Sequence, residues 1–137
     1  FGKNLIGDWA SGKIGYLSTT TFTEWGNQII ASVTSPPIHG GGARVFFGSL
    51  ELEMETGGGL TTGQGSDPQV MLDMSDDGGR TWSPIQMWSS FGVIGAYRQR
   101  VRFLRLGSAY ERVFRVSISD PVRRSIIAAN YDLASGV

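Results

Sequence analysis

Apolar and polar residues alternate with a period of two along much of the chain. In residues 44–56, three apolar side chains fall on one face of an extended strand and three glutamates on the other: Leu50, Leu52 and Met54 against Glu51, Glu53 and Glu55. This alternation predicts a β-strand with one buried face and one face in solvent. No segment has the apolar spacing of a long amphipathic helix.

Shorter runs rich in β-branched and aromatic residues predict further strands between turns. They are 28–34, 69–75, 81–88, 97–106, 112–119 and 125–129, preceded by a hairpin that pairs residues 4–9 with residues 13–17. Twenty glycines and the stop at Ser35-Pro36-Pro37 supply the turns. We therefore predict an all-β chain: an antiparallel β-sandwich over residues 25–137, after a short N-terminal β-hairpin segment, residues 1–24, interpreted as the remnant of an upstream β-rich domain.

Two segments carry expectations about contacts. The glycine-rich residues 57–66 are expected to form a mobile surface loop, or alternatively a contact loop. In the predicted strand 97–106, Arg98, Arg100 and Arg102 share one face. If this strand neighbours 44–56, the three arginines face the three glutamates, and each opposed pair contributes about 0.2–1 kcal/mol.

A chain of 137 residues is long enough for one domain with its own core. It has no cysteine, which excludes disulfides and thiolate zinc sites, and His39 is its single histidine, so we predict no metal and no cofactor. No apolar run approaches a bilayer span and no secretory signal is present, so no membrane contact is expected. Because the chain begins at Phe1, we expect it to be part of a longer protein.

Arginines cluster in one segment, although twelve basic and twelve acidic residues cancel over the whole chain. Eight arginines lie from Arg98 to Arg124, where the only acidic residues are Glu111 and Asp120. The planar guanidinium suits bidentate pairing with carboxylates or phosphates. The cluster therefore indicates either strand faces paired with acidic neighbours or a surface near duplex phosphates.

Residues 75–82 fit the Asp-box pattern Ser-x-Asp-x-Gly-x-Thr-Trp, and we predict a structural role for its five specified residues: Ser75, Asp77, Gly79, Thr81 and Trp82. A short carboxylate such as Asp77 accepts hydrogen bonds from N–H groups of its own turn, glycine supplies positive φ, and Trp82 covers the hairpin. The motif resembles that of sialidase propellers, where it lies away from the catalytic centre. It therefore predicts a β-hairpin, with no catalytic role for Asp76 or Asp77.

Two groups of residues resemble parts of catalytic sites, but a structural role explains each of them better. A glycosidase needs two carboxyl groups facing one cavity, and the candidates besides Asp73 form a single exposed row of glutamates. The segment His39-Gly40-Gly41-Gly42 is similar to the oxyanion loop of lipases, but no Gly-x-Ser-x-Gly elbow accompanies it. We predict no catalytic residue and no enzymatic activity.

Four aromatic residues near the arginine cluster are candidates for stacking on single-stranded nucleic acid. They are Tyr97, Phe103, Tyr110 and Phe114. Phe114 alternates with Val116 and Ile118, and Tyr97 and Phe103 share a face with Val101. This spacing favours core positions over a stacking surface.

Residues 44–132 resemble the packaged-DNA stabilisation proteins of short-tailed bacteriophages, also called tail-hub or tail accessory factors. The resemblance is carried, in order and with similar spacing, by residues 50–57, 63–72, the Asp-box, 97–102, 105–107 and 112–122. Family members are longer, and this chain resembles their C-terminal portion. Residues 1–40 match less distinctly.

The resemblance implies a structural virion protein of the phage tail, assembled in the host cytoplasm. The chain would be a module of a tail hub that closes the portal channel and stabilises packaged DNA. Implied partners are other copies in a ring, a hexamer in this family, together with portal or adaptor proteins, a tail spike or needle, and packaged DNA. The candidate interface or phosphate-facing residues are Arg98, Arg100, Arg102, Arg105, Glu51, Glu53 and Glu55.

Two other functions remain open from the sequence. One is a carbohydrate-binding or sialidase-like tail module, which exposed aromatic platforms would favour. The other is a DNA-contacting module that uses the arginines of residues 98–124.

Overall fold

The computed structural model describes residues 2–136, and every regular element in that range is a β-strand. The strands are β1 (Leu5–Gly7), β2 (Ile14–Tyr16), β3 (Thr23–Glu24), β4 (Asn27–Gln28), β5 (Ala31–Thr34), β6 (Ile38–His39), β7 (Val45–Met54), β8 (Gln69–Ser75), β9 (Met87–Ser90), β10 (Val101–Ala109), β11 (Glu111–Ile118) and β12 (Ile126–Ser135). Residues 2–136 thus include no helix of the length and hydropathy that crossing a membrane requires.

Two antiparallel sheets form the main body. The three-stranded sheet has the order β10-β7-β12, and the five-stranded sheet has the order β5-β11-β8-β9 with β6 also paired to β11. The apolar side chains of β7, β10, β8 and β11 meet in one buried cluster between the sheets. The predicted all-β sandwich is confirmed.

The core begins with the inward face that the alternation in β7 predicts. Leu50 and Leu52 are buried there, while Met54 is half-buried. Between the sheets, the ring of Phe47 meets Phe114 edge to face with centroids 5.6 Å apart, and Phe114 stacks on Tyr131 at 5.6 Å. Full burial of each large apolar side chain stabilises the sandwich by about 1.5–3 kcal/mol.

The middle of the three-stranded sheet is distorted at Gly48 of β7. The register of both neighbouring strands shifts between Phe47 and Ser49. On β10 the extra residues form a bulge that includes Arg105, whose φ of 58° is left-handed. A Cβ on Gly48 would lie 2.9 Å from the Asp132 carboxylate, so the glycine lets that side chain lie across the strand.

The N-terminal segment consists of two small hairpins. The predicted pairing of β1 with β2 is confirmed, and β3 and β4 form a second hairpin. Its two-residue turn has positive φ at Trp25 and Gly26, 51° and 84°, as a type I′ turn requires. A Cβ on Gly15 of β2 would lie 2.5 Å from the Trp25 ring, so the two hairpins touch there. The predicted boundary between residues 24 and 25 falls inside the second hairpin, and the division into domains stays a prediction.

The strand predicted at residues 81–88 is wrong in its extent. Pairing with β8 begins only at Met87, and β9 continues to Ser90. The N–H groups of Arg80 and Thr81 bind a side chain of the preceding turn, and Pro84 has no N–H to donate to a ladder. The connection between β8 and β9 is therefore a long loop.

The strand predicted at residues 97–106 begins and ends later, as β10. Residues 96–99 form a turn instead, in which the Gln99 N–H donates to the Ala96 carbonyl at 3.3 Å. Tyr97 is 73% exposed and Tyr110 is 63% exposed, so neither is a core residue. Phe103 and Phe114 are buried, as the alternation predicts.

The predicted ends of two other strands, and the description of one predicted loop, also need correction. The strand predicted at 28–34 is divided between β4 and β5, and the strand predicted at 125–129 extends to Ser135 as β12. The loop 57–66 is not simply a surface loop, because Gly57, Gly59 and Gly65 are buried. The Gly57 N–H donates to the Phe91 carbonyl at 3.1 Å, which ties this loop to the residues after β9.

Candidate functional site

The turn at residues 75–82 is organised around the carboxylate of Asp77. Its Oδ1 accepts from the N–H groups of Arg80 and Thr81 at 3.0 and 2.8 Å and from the Ser75 hydroxyl at 2.7 Å. Its Oδ2 accepts from the Thr81 hydroxyl at 2.5 Å. These donors, the Thr81 hydroxyl first, hold the pKa of Asp77 well below its usual range.

The rest of the turn supports this carboxylate. The Ser75 hydroxyl accepts from the Gly79 N–H at 2.8 Å, and Gly78 and Gly79 have left-handed φ values of 74° and 90°. Trp82 lies against the five-stranded sheet, where the Arg115 guanidinium is 4.0 Å from the centre of its ring. All five specified motif residues are thus brought together around one turn, and every polar contact described here stays within it.

Arg112 and Asp76 form an ion pair that the sequence reasoning missed. The Arg112 guanidinium donates to both oxygens of Asp76 at 2.6 and 2.7 Å and to the carbonyl of Leu106. The Arg112 side chain is 7% exposed, whereas that of Asp76 is 51% exposed. Arg112 therefore joins the 75–82 turn to the bulge in β10. The sequence could have indicated that Arg112 is buried, because it lies two residues before Phe114 and therefore on the same inward face of β11.

Asp73, named above as a glycosidase candidate, is also paired. Its Oδ2 accepts from Arg115 at 3.0 and 3.1 Å and from the Gln86 side-chain amide at 3.3 Å. Trp82 covers the same guanidinium. A buried carboxylate held in this way stabilises the outer surface of the five-stranded sheet rather than facing a cavity.

The predicted rows of glutamates and arginines meet only in part. Arg100 binds Glu51 through two hydrogen bonds of 2.9 and 2.7 Å, and these bonds lower the pKa of Glu51. Arg102, which lies directly opposite Glu51 in the register, does not form this pair. Glu55 binds Arg123 instead, at 3.1 Å. The row-against-row arrangement is wrong, because Arg98 lies in the 96–99 turn and Arg100 lies just before β10, so that only Arg102 belongs to the strand.

Half of the arginine cluster is therefore neutralised by carboxylates. Four of the eight arginines bind carboxylates: Arg100, Arg112, Arg115 and Arg123. Arg124 donates to the carbonyls of Ile29 and Asp120 at 3.3 and 3.2 Å. In the described range, Arg98, Arg102 and Arg105 are exposed and form no ion pair.

The polar surface beside the Glu51–Arg100 pair is an open groove of about 400 Å³. Glu53, Tyr97 and Asn130 also line it. Residues 2–136 contain no cluster of three or more acidic or histidine side chains that could hold a metal ion. The hydrogen bonds from Arg100 favour the ionised form of Glu51 and lower its pKa, so this carboxyl does not suit the role of a glycosidase acid, which needs a raised pKa.

Comparison with known proteins identifies the family. No curated protein matches the chain. A family model described as "Bacteriophage P22 Gp10, beta-sandwich" matches residues 30–134, which is well over half of the 137 residues. The match spans β5 to β11 in full and all but the last residue of β12. The chain therefore belongs to the bacteriophage P22 Gp10 beta-sandwich family and is a phage structural protein related to the tails of P22-like phages.

Proposed function

We propose that this chain is a module of a phage tail hub that closes the portal channel and stabilises packaged DNA through contacts between copies arranged in a ring. Its expected neighbours are portal or adaptor proteins and a tail spike or needle. It works in the virion tail and is assembled in the host cytoplasm. The module acts mechanically, with no chemical step.

Membership of the P22 Gp10 beta-sandwich family is the observation that carries this proposal, because that family is one of phage structural proteins. The distribution of polar groups supports it. The carboxylates of Asp73, Asp76 and Asp77 are all engaged by donors of the fold, so they stabilise the domain. Exposed charges that form no ion pair in the described range, such as Arg98 and Arg102, are among the groups left for partners.

A direct test is to assemble phage particles with and without this protein and to measure the DNA that stays protected from nuclease. Particles that lack it should lose their DNA, and adding the purified protein before DNA loss should restore protection. Equal retention of DNA with and without the protein would show that it does not close the channel.

Contact with packaged DNA is a separate part of the proposal. Within the arginine cluster, the described residues Arg98, Arg102 and Arg105 form no ion pair, so duplex binding through these three should fall with log salt with a slope of about −3. Absence of binding at low salt would remove the DNA contact and leave the ring contacts untouched.

A saccharide site is the second candidate function, because the polar groove presents an exposed aromatic ring. Tyr97 lies beside Asn130 and Glu53 there, and an exposed ring with nearby planar polar groups suits a sugar. A glycan array with the native chain and the Tyr97→Ala variant tests it. Binding that Tyr97→Ala abolishes would support this function, and no signal on the array would refute it.

A further inference from the structure

The sandwich is open along the side where β5 and β12 form the borders of its two sheets. Val33 of β5 pairs with Val116 of β11, so their side chains point to the same side of the five-stranded sheet. Val116 belongs to the buried core, yet Val33 is 56% exposed. Residues 2–136 therefore leave the core-facing side of β5 uncovered.

β12 borders the same opening from the other sheet. Tyr131 and Leu133 lie opposite Leu50 and Phe47 of β7, and each pair points toward the core. The two β7 side chains are buried, whereas Tyr131 and Leu133 are 36% and 43% exposed. The core-facing side of β12 therefore meets solvent at the place where one more strand of the three-stranded sheet would lie.

A groove of about 310 Å³ lies in this opening. Apolar side chains of both sheets line it: Val33, Val116, Ile118 and Ile126. Arg124 also lines the groove, where its guanidinium donates to the carbonyls of Ile29 and Asp120. It forms no ion pair with a carboxylate of residues 2–136. The groove thus combines apolar walls with a cation that can still take a carboxylate.

The outer edge of β12 is unpaired in the described chain. The strand has ten residues and contains neither proline nor lysine, two residues that commonly protect sheet edges. Between its two irregularities, residues 128–132 pair regularly with β7, so their outward N–H and C=O groups keep the spacing of a ladder. The other borders suit pairing less well, because β5 and β9 have four residues each and β10 carries the bulge at Arg105.

We infer that this opening is a docking site for an extended segment of a partner protein, which adds a strand to β12 alongside residues 128–132. Such a strand would pair with the free edge and cover the groove at the same time. An edge of N–H and C=O groups selects an extended backbone, and the apolar groove selects apolar side chains at every second position.

The strands of this sheet are antiparallel, so the C-terminal end of the added segment would point toward Ile126 and Arg124. A carboxylate at that end would pair with the Arg124 guanidinium. No unpaired segment of residues 2–136 has apolar residues at alternate positions followed by a carboxylate, which favours a partner protein over a second copy. The contact needs only one copy of the chain and is independent of the proposed ring.

Synthetic peptides test this recognition with the native chain. The probes are blocked seven-residue peptides with valine, isoleucine or leucine alternating with threonine and with glutamate at the C-terminal end. At least one should bind with a Kd below about 1 mM. The counterparts with proline at the centre should not bind, because proline removes a ladder donor. Hydrogen exchange followed by NMR should become slower at residues 128–132 in the complex.

Three variants test the groove, with thermal melting as the check that each is folded. Val33→Lys should weaken binding at least about tenfold, because the bound peptide would bury the new charge. Val93→Lys is the matched control, since it makes the same change at a valine of similar exposure, 48%, outside the groove, and it should leave the affinity unchanged. Arg124→Gln should remove the preference for a glutamate end over a glutamine end, which should be about fivefold in the native chain.

Four results would overturn the docking site. They are no binding by any alternating peptide, equal binding of the proline counterparts, equal effects of Val33→Lys and Val93→Lys, and slower exchange at a border other than β12. Slower exchange at residues 128–132 on raising the concentration of the native chain alone would show that a second copy is the occupant. Peptide binding is measured on single copies and DNA retention on phage particles, so failure of one leaves the other standing.

Discussion

Replacement of Arg112 by methionine tests whether the buried ion pair joins the 75–82 turn to the core. The variant keeps an apolar side chain of similar length but removes the donors to Asp76 and to the carbonyl of Leu106. The carbonyl of Leu106 loses a charged donor, at a cost of about 1–3 kcal/mol. The Asp76 side chain is half exposed, so water replaces the lost donors. The loss of its ion pair therefore costs at most about 1 kcal/mol of folding free energy.

Loss of the guanidinium above the Phe47 ring, 4.9 Å from its centre, adds to this cost. We expect Arg112→Met to destabilise the domain by about 2–4 kcal/mol, a fall of about 10 °C in the melting temperature. The assay is thermal and urea unfolding followed by circular dichroism. Arg102→Met is the control, because Arg102 is exposed without an ion pair and should change stability by less than about 0.5 kcal/mol. Equal melting temperatures for the two variants would refute the reasoning.

Three further changes test other parts of the structure. Because the folded-state pKa of Asp77 is lowered, its stabilisation is present above the ordinary pKa of 3.8 and is lost as the pH falls below it. Asp77→Asn should therefore melt lower than the native chain at neutral pH and lose less stability on acidification, and parallel pH profiles would contradict this. Gly15→Ala should displace the Trp25 ring and change the tryptophan emission while the sandwich melts as before; an unchanged emission would show that the hairpins do not touch. Phe114→Ala should cost about 3–5 kcal/mol in urea unfolding, and a loss below about 1 kcal/mol would mean that the two sheets do not share a core.

Much of the fold was predictable because a strand's side-chain period is a local property. The alternation of Leu50 and Leu52 with Glu51 located β7 and its buried face correctly. The same counting applied to β11 locates Phe114 inside and would have located Arg112 there too. A charged residue in phase with buried apolar residues indicates a buried ion pair, and this was the signal that was available for the Asp76 contact.

The limits of strands and the choice of ion-pair partners were not predictable, because they depend on tertiary contacts. β9 begins as late as Met87 because the chain first completes the 75–82 turn and then passes Pro84, which has no N–H to donate to a ladder. Arg100 reaches Glu51 from the position immediately before β10, whereas the opposed Arg102 does not form that pair. The distortion at Gly48 shifts the register of both neighbouring strands, β10 and β12. It follows from the pairing of three strands and has no local sequence pattern beyond a glycine.

Electron microscopy of the assembled phage tail would show whether this domain forms the proposed ring. We expect density for the β-sandwich repeated around the tail axis beneath the portal, with neighbouring copies in contact. A tail in which the sandwich is absent, or present as separate copies that do not touch, would contradict the proposed ring and its role in closing the channel.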